Sequence, residues 1–240
     1  MIEALIVIAV LIAAFLQSLS GFGFAIIVMP LLTLLLGLRT AAPMVAMAGL
    51  TVYTINLVRY RRAIDFGEVL RLGVASVLGV LLGIWVLSNV DESVVKRVLG
   101  FILIAYAVYS LIRPALLRPV SSRWVYPAGF LAGCLGGAYN TPGPPVIVYG
   151  SLQQWSKDEF RAVLQALFFI NGVVVVTSHV VARHVTAEVL TFYLYAVPAL
   201  VVGILVGSRV DSKVDHERFR ALVTGMILLL GLSLLLGAGR

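Results

Sequence analysis

Residues 4–38 contain no Asp, Glu, Lys or Arg. A helix that crosses a bilayer needs about 20 apolar residues, because the hydrocarbon core is roughly 30 Å thick and each residue rises about 1.5 Å. This stretch is too long for one span. Ser20-Gly21-Phe22-Gly23 interrupts it midway, so it reads as two segments at about 3–19 and 23–38. Further segments follow at about 41–58, 72–90 and 98–112. After a polar, proline-containing stretch the series resumes at 124–139, 143–156, 162–182, 188–208 and 221–238. No charged residue lies deep inside any of the ten, so no buried carboxylate is expected. Only 12% of the 240 residues are charged and 61% are hydrophobic, against about a quarter charged in soluble domains. A chain so poor in charge cannot cover a soluble globule, which excludes a cytosolic enzyme and a disordered chain. The single cysteine, Cys134, can form no internal disulfide, which excludes a disulfide scaffold. The expected fold class is an all-α polytopic membrane protein.

The net charge of +7 raises nucleic acid as a partner, but the basic residues are dispersed among short loops and form no continuous basic face. No nucleic acid is expected, and the lipid bilayer is the partner implied. The start, Met1-Ile2-Glu3, lacks the positive leader of a signal peptide, so the first apolar stretch is expected to remain as a membrane segment.

The chain also resembles itself. Residues 77–83, VLGVLLG, correspond to residues 201–207, VVGILVG, at an offset of 124, and Ser88, Val90 and Asp91 then fall on Ser212, Val214 and Asp215. At an offset of 120, Glu68-Val69-Leu70 falls on Glu188-Val189-Leu190, and Ser20-Gly21-Phe22-Gly23 falls on Asn140-Thr141-Pro142-Gly143. The organisation expected is a first membrane repeat at 1–115, a linker at 116–123 and a second repeat at 124–240. Each repeat has about five hydrophobic segments. An odd number makes the repeats inverted, and loop charge tests this, because basic residues accumulate on the cytoplasmic side. Ten crossings place 13 of the 18 Lys and Arg on one side, which puts both termini outside the cytoplasm. Re-entrant hairpins would keep the same parity, so eight to ten transmembrane helices, broken near the centre, satisfy the pattern. The membrane implied is a bacterial or archaeal plasma membrane.

Inverted repeats are a recurring design of secondary transporters, whose substrates bind near the midplane where helices break. Two interruptions occupy corresponding places in the halves. The first runs from Gln17 through Ser20, Gly21 and Gly23, and the second from Gly133 through Tyr139, Asn140, Thr141 and Gly143 to Pro144-Pro145. Tight turns between spans would also use glycine and proline, but clustered polar side chains at paired positions favour a substrate site. Broken backbone at membrane depth must line protein or a wet cavity. Helix N-termini carry a partial positive charge and free N–H groups. Ser20, Asn140, Thr141 and the amides of Gly21, Gly23 and Gly143 thus suit an anion, although carbonyls and side-chain oxygens would serve a cation.

Gly21-Phe22-Gly23-Phe24 followed by Pro30, the second half starting near Gly136-Gly137, and Asn140-Thr141-Pro142-Gly143-Pro144-Pro145 together resemble the TauE/SafE sulfite exporter family. The resemblance covers essentially the whole chain. It implies a permease for small sulfur-containing anions such as sulfite, sulfoacetate or related organosulfonates. Asn140-Thr141-Pro142 stands where the family more usually has a run of glycines.

Asn56 and Asn171 sit in the third segment of each half, with Tyr53 and Gln165, and suit either pathway lining or interhelical hydrogen bonding. His179 and His184 read as interfacial, or as proton carriers. Trp85, Trp124 and Trp155 read as interface anchors. Gly79/Gly83, Gly203/Gly207 and Gly129/Gly133/Gly137 have the spacing of close helix contacts. Those contacts fit either within one chain or in a homo-oligomer. No catalytic constellation, clustered metal ligands or nucleotide-binding loop is present in the sequence. The function expected is therefore secondary transport of a small anion by alternating access, without enzyme activity, cofactor or metal. An anion channel or the membrane subunit of a larger transport system are the alternatives.

Overall fold

A computed structural model describes residues 2–112 and 121–210, together with 224–225, 228–229, 231–232 and 235–236. Most of the expected 116–123 linker and much of the expected tenth segment lie outside the described residues. Those described form helices and no strand: α1 Ile2–Ser20, α2 Phe24–Leu36, α3 Leu38–Tyr60, α4 Phe66–Asn89, α5 Glu92–Ile112, α6 Val125–Tyr139, α7 Gly143–Leu152, α8 Lys157–Val181 and α9 Ala187–Val210. Five stretches among them are long and apolar enough to cross a bilayer: Ile2–Ser20, Leu38–Ala63, Phe66–Val86, Asp158–Val181 and Ala187–Val210. The protein is an all-α polytopic membrane protein.

Several helices start before their apolar stretch does. α4 begins at Phe66 rather than near 72, and α8 at Lys157 rather than near 162. The cause is capping. Asp65 Oδ1 accepts the Glu68 amide at 3.0 Å, and Ser156 and Glu159 form a reciprocal capping box. Capping satisfies the orphan amides of the first turn, so the helix continues outward through charged residues that a hydropathy reading assigns to loops.

The chain divides into two compact units, and each draws on both halves of the sequence. The first comprises Met1–Val45, Asn89–Ala115 and Ala187–Arg240, and the second Ala46–Ser88 and Leu116–Thr186.

Within the first unit α1 packs along α9. A methyl group added at Gly203 would lie 2.6 Å from the Leu11 carbonyl oxygen, and one at Gly207 2.5 Å from that of Phe15. Within the second unit α6 packs along α4 in the same manner. A methyl at Gly79 would strike the Phe130 carbonyl and one at Gly83 that of Cys134, while Gly129, Gly133 and Gly137 meet the carbonyls of Leu72, Ser76 and Val80. Only residues without a Cβ let backbones come this close, which is how membrane helices pack without a hydrophobic driving force between them. In both pairs the contacts advance along the two chains in the same sense, so the helices are parallel. The glycines of α4 and α9 are related by the offset of 124, and their partners Leu11/Phe130 and Phe15/Cys134 by a common offset of 119.

Candidate functional site

The two interruptions lie in different units, and each has its own construction. In the first, α1 ends at Ser20 and α2 begins at Phe24. Gly21 and Gly23 adopt φ of 82° and 107°, left-handed values that side-chain-bearing residues avoid. The buried Gln17 closes this loop from both sides. Its Nε2 donates to the Gly21 carbonyl at 3.2 Å and its Oε1 accepts the Phe24 amide at 2.9 Å. The Ser20 hydroxyl donates to the Leu16 and Phe22 carbonyls and accepts the Phe22 amide. Gln17 and Ser20 therefore build the break. With Phe24 taken, the amides of Ala25 and Ile26 are the ones left without an intrahelical acceptor at the positive end of α2.

The second interruption is built differently. α6 ends on Asn140, whose φ of 57° is left-handed and whose amide returns to the Gly136 carbonyl at 2.9 Å. This is a helix C-cap of the kind that asparagine tolerates. α7 then starts at Gly143. Pro142, Pro144 and Pro145 carry no N–H, so this helix start offers hardly any backbone donor. Open polar groups come from side chains instead. Thr141 is buried and its Oγ1 has no hydrogen-bond partner. Asn171, from α8, accepts the Ser76 hydroxyl on Oδ1 at 2.8 Å, while its Nδ2 has no partner. A methyl on Gly136 would lie 3.4 Å from both Asn171 Nδ2 and the Pro142 ring, so Gly136 keeps the amide and the break adjacent. Unpaired polar groups buried in protein are rare and costly, and here one belongs to the helix break and the other lies beside it.

The other candidates fall into place within the second unit. Tyr139 is buried at the end of α6. On α3, Tyr53 stacks on Phe168 of α8 at 5.2 Å between ring centroids, and a methyl on Gly172 would touch Leu50. This antiparallel register carries Asn56 to the level of Gln165. Asn56 is buried with neither side-chain polar atom hydrogen-bonded. His179 and His184 meet with 3.1 Å between their Nδ1 atoms, and His179 is buried. Trp85 and Trp124 are exposed, as expected of anchors, whereas Trp155 packs on Tyr149 and Phe160. Among the described residues no three His, Cys, Asp or Glu side chains cluster as metal ligands.

One expectation is overturned. Glu68, assigned from the sequence to a loop, is a buried carboxylate in the first turn of α4. Its Oε1 accepts the Tyr149 hydroxyl at 2.7 Å. The available signal was the match of Glu68 with Glu188 in the repeat, but hydropathy gives the pair no special weight.

The family model for the sulfite exporter TauE/SafE matches residues 6–234. The chain belongs to this family. It is a membrane transporter by that membership, and the first interruption together with Asn140-Thr141-Pro142-Gly143 falls inside the matched region. The chain is also similar to the probable sulfite/organosulfonate exporter TauE of Cupriavidus necator, with 26% identity over 229 residues, covering 92% of this chain and 89% of that protein. No solved structure matches the chain at a significant level. Membership of the TauE/SafE family and the apolar helices make it an integral membrane protein.

Proposed function

We propose that this protein is a secondary transporter that moves sulfite, sulfoacetate or a related organosulfonate across the membrane by alternating access. The observation that carries the reading is the open pair Thr141 Oγ1 and Asn171 Nδ2 at the second break. A carboxamide NH2 can only donate, so its natural partner is a ligand with acceptor oxygens. Sulfur oxyanions present such oxygens and little else. At the first break, the positive end of α2 favours negative charge without a lysine or arginine. The name of the Cupriavidus necator relative, a probable sulfite/organosulfonate exporter, points to the same class of substrate.

An inverted-repeat origin, with halves at 1–115 and 124–240, belongs to this reading. It is supported by the glycine contacts of α9 on α1 and α4 on α6, whose glycines share the repeat's offset of 124 and whose partners share one of 119. Ten crossings would make α1 and α9 parallel, and likewise α4 and α6, in keeping with their packing. We place the protein in a bacterial or archaeal plasma membrane with both termini outside the cytoplasm.

The test is exchange in proteoliposomes, where labelled sulfite or a short alkanesulfonate enters against trapped unlabelled anion. A carrier gives saturable counterflow. Thr141→Val and Asn171→Leu are expected to reduce it about tenfold each; thermal stability in detergent should change little in Thr141→Val and fall in Asn171→Leu, which also removes the acceptor of the buried Ser76 hydroxyl. A tenfold loss is about 1.4 kcal/mol, close to the lower bound for one hydrogen bond to a charged group. Conductance without counterflow would instead indicate a channel. Full counterflow in both variants would remove the second break from the site.

A further inference from the structure

Glu68 is not needed as an ordinary helix-start acid. The negative charge that favours a helix N-terminus works from an exposed position, and Glu188, its counterpart in the first turn of α9, is exposed. Nor does Glu68 cap its helix, since Asp65 does so. Its side chain turns inward, to the Tyr149 hydroxyl on α7 at 2.7 Å, and Gln153 Nε2 donates to the same hydroxyl at 3.1 Å. The second carboxylate oxygen, Oε2, is buried and has no hydrogen-bond partner, with only the half-exposed Arg71 guanidinium 3.7 Å away. The charged and titratable groups of the adjoining segments include Arg61, Arg62 and Asp65 ahead of α4, Arg59 and Tyr60 at the end of α3, and Asp158, Glu159 and Arg161 on α8, of which Arg161 lies over the Tyr60 ring at 5.6 Å.

We propose that Glu68 is the proton-carrying carboxylate of this transporter, with Oε2 as the atom that takes the proton and Tyr149 as its link to the substrate site. The inference rests on the transport reading above. The site provides for two states. Ionised, the carboxylate faces Arg71 while Tyr149 donates to Oε1. Protonated at Oε2, it needs no cation and gains a donor of its own, while Oε1 becomes a neutral carbonyl oxygen and holds the Tyr149 hydroxyl more weakly than the carboxylate does. The change is transmitted along α7, because Tyr149 lies in that helix and the same helix starts at the break beside Thr141. Its ten residues span about 15 Å. Proton occupancy at one end thus biases how the other end is held, which is the coupling a proton-driven carrier requires.

The experiment uses proteoliposomes holding a pH-sensitive dye and an alkanesulfonate that stays fully ionised across the assay range, so that every proton moved is carried by the protein. Counterflow at equal pH is measured beside proton movement and pH-driven accumulation. Wild-type protein is expected to show all three. Glu68→Gln keeps an acceptor for Tyr149 but cannot ionise. It should retain counterflow within about threefold and lose proton movement and accumulation. Glu68→Asp should restore proton movement, and Glu188→Gln should behave as wild type. Tyr149→Phe should keep proton movement but shift the pH profile of counterflow, a readout that decides the matter even if Glu68→Gln fails to fold. Counterflow in wild type without proton movement would overturn the proposal and leave the transport reading intact. So would proton-coupled accumulation in Glu68→Gln, or an unshifted profile in Tyr149→Phe. Absence of counterflow in wild type would overturn both.

Discussion

The two helix breaks occupy corresponding places in the chain yet solve the same physical problem in opposite ways. At the first, side chains serve the backbone. Gln17 and Ser20 occupy the loop's polar groups, and Gln17 also takes the Phe24 amide at the start of α2. At the second, three prolines strip donors from the start of α7, and open polar groups come from Thr141 and Asn171. At the first break polar side chains hold the backbone, and at the second polar side chains are left unbonded. Side chains can be exchanged by mutation without disturbing the backbone, so substrate preference is expected to reside mainly at the second break.

The largest effect tests what the two halves share. Gly79→Leu and Gly203→Leu each drive a branched side chain into a neighbouring helix backbone, against Phe130 in one case and Leu11 in the other. Overpacking typically costs 1–3 kcal/mol even when side chains can yield, and backbone yields less. Both variants are expected to lose about 3 kcal/mol or more and to vanish from the folded peak in detergent size exclusion. If one survives, the two helix pairs are not equivalent.

Next is the first break. Gln17→Leu removes two hydrogen bonds and leaves the Phe24 amide and Gly21 carbonyl without these partners, at about 1–3 kcal/mol per unsatisfied group. Its melting temperature should fall and its flux should fall with it. A variant with normal stability and impaired transport would mean that Gln17 meets the substrate, and the contrast between the breaks would collapse. The second break should behave in the reverse way, as the Thr141→Val exchange assay tests directly.

The smallest effect separates conformation from chemistry at Asn140. Its left-handed backbone costs about 1–2 kcal/mol for residues other than glycine and, in part, asparagine. Asn140→Ala should therefore lose about 1 kcal/mol in thermal denaturation, whereas Asn140→Gly should be close to neutral. If flux is retained in Asn140→Gly, the side chain serves the cap. If flux drops about tenfold in both, the carboxamide contacts the anion.

Much of the frame is legible from residues alone. The bilayer penalises charge so strongly that spans announce themselves as charge-free stretches, and close helix contacts admit only glycine, so Gly79, Gly83, Gly203 and Gly207 mark their interfaces in advance. Both breaks were marked likewise, because glycine and proline act through local backbone geometry. Helix ends were less legible: capping by Asp65 and Ser156 extends α4 and α8 through charged residues that hydropathy sets aside.

What the sequence by itself determined, then, are the properties that depend on each residue's own solvent preference and backbone freedom: the membrane-spanning class, the approximate spans and the location of the breaks. The tertiary structure decided which polar groups are satisfied. Gln17 and Glu68 are both polar residues beside apolar runs, and nothing local distinguishes them. One closes a loop seven residues long, and the other meets a tyrosine 81 positions away. A hydrogen bond depends on distance and direction between groups far apart in sequence, and only packing α7 near α4 sets those for Glu68.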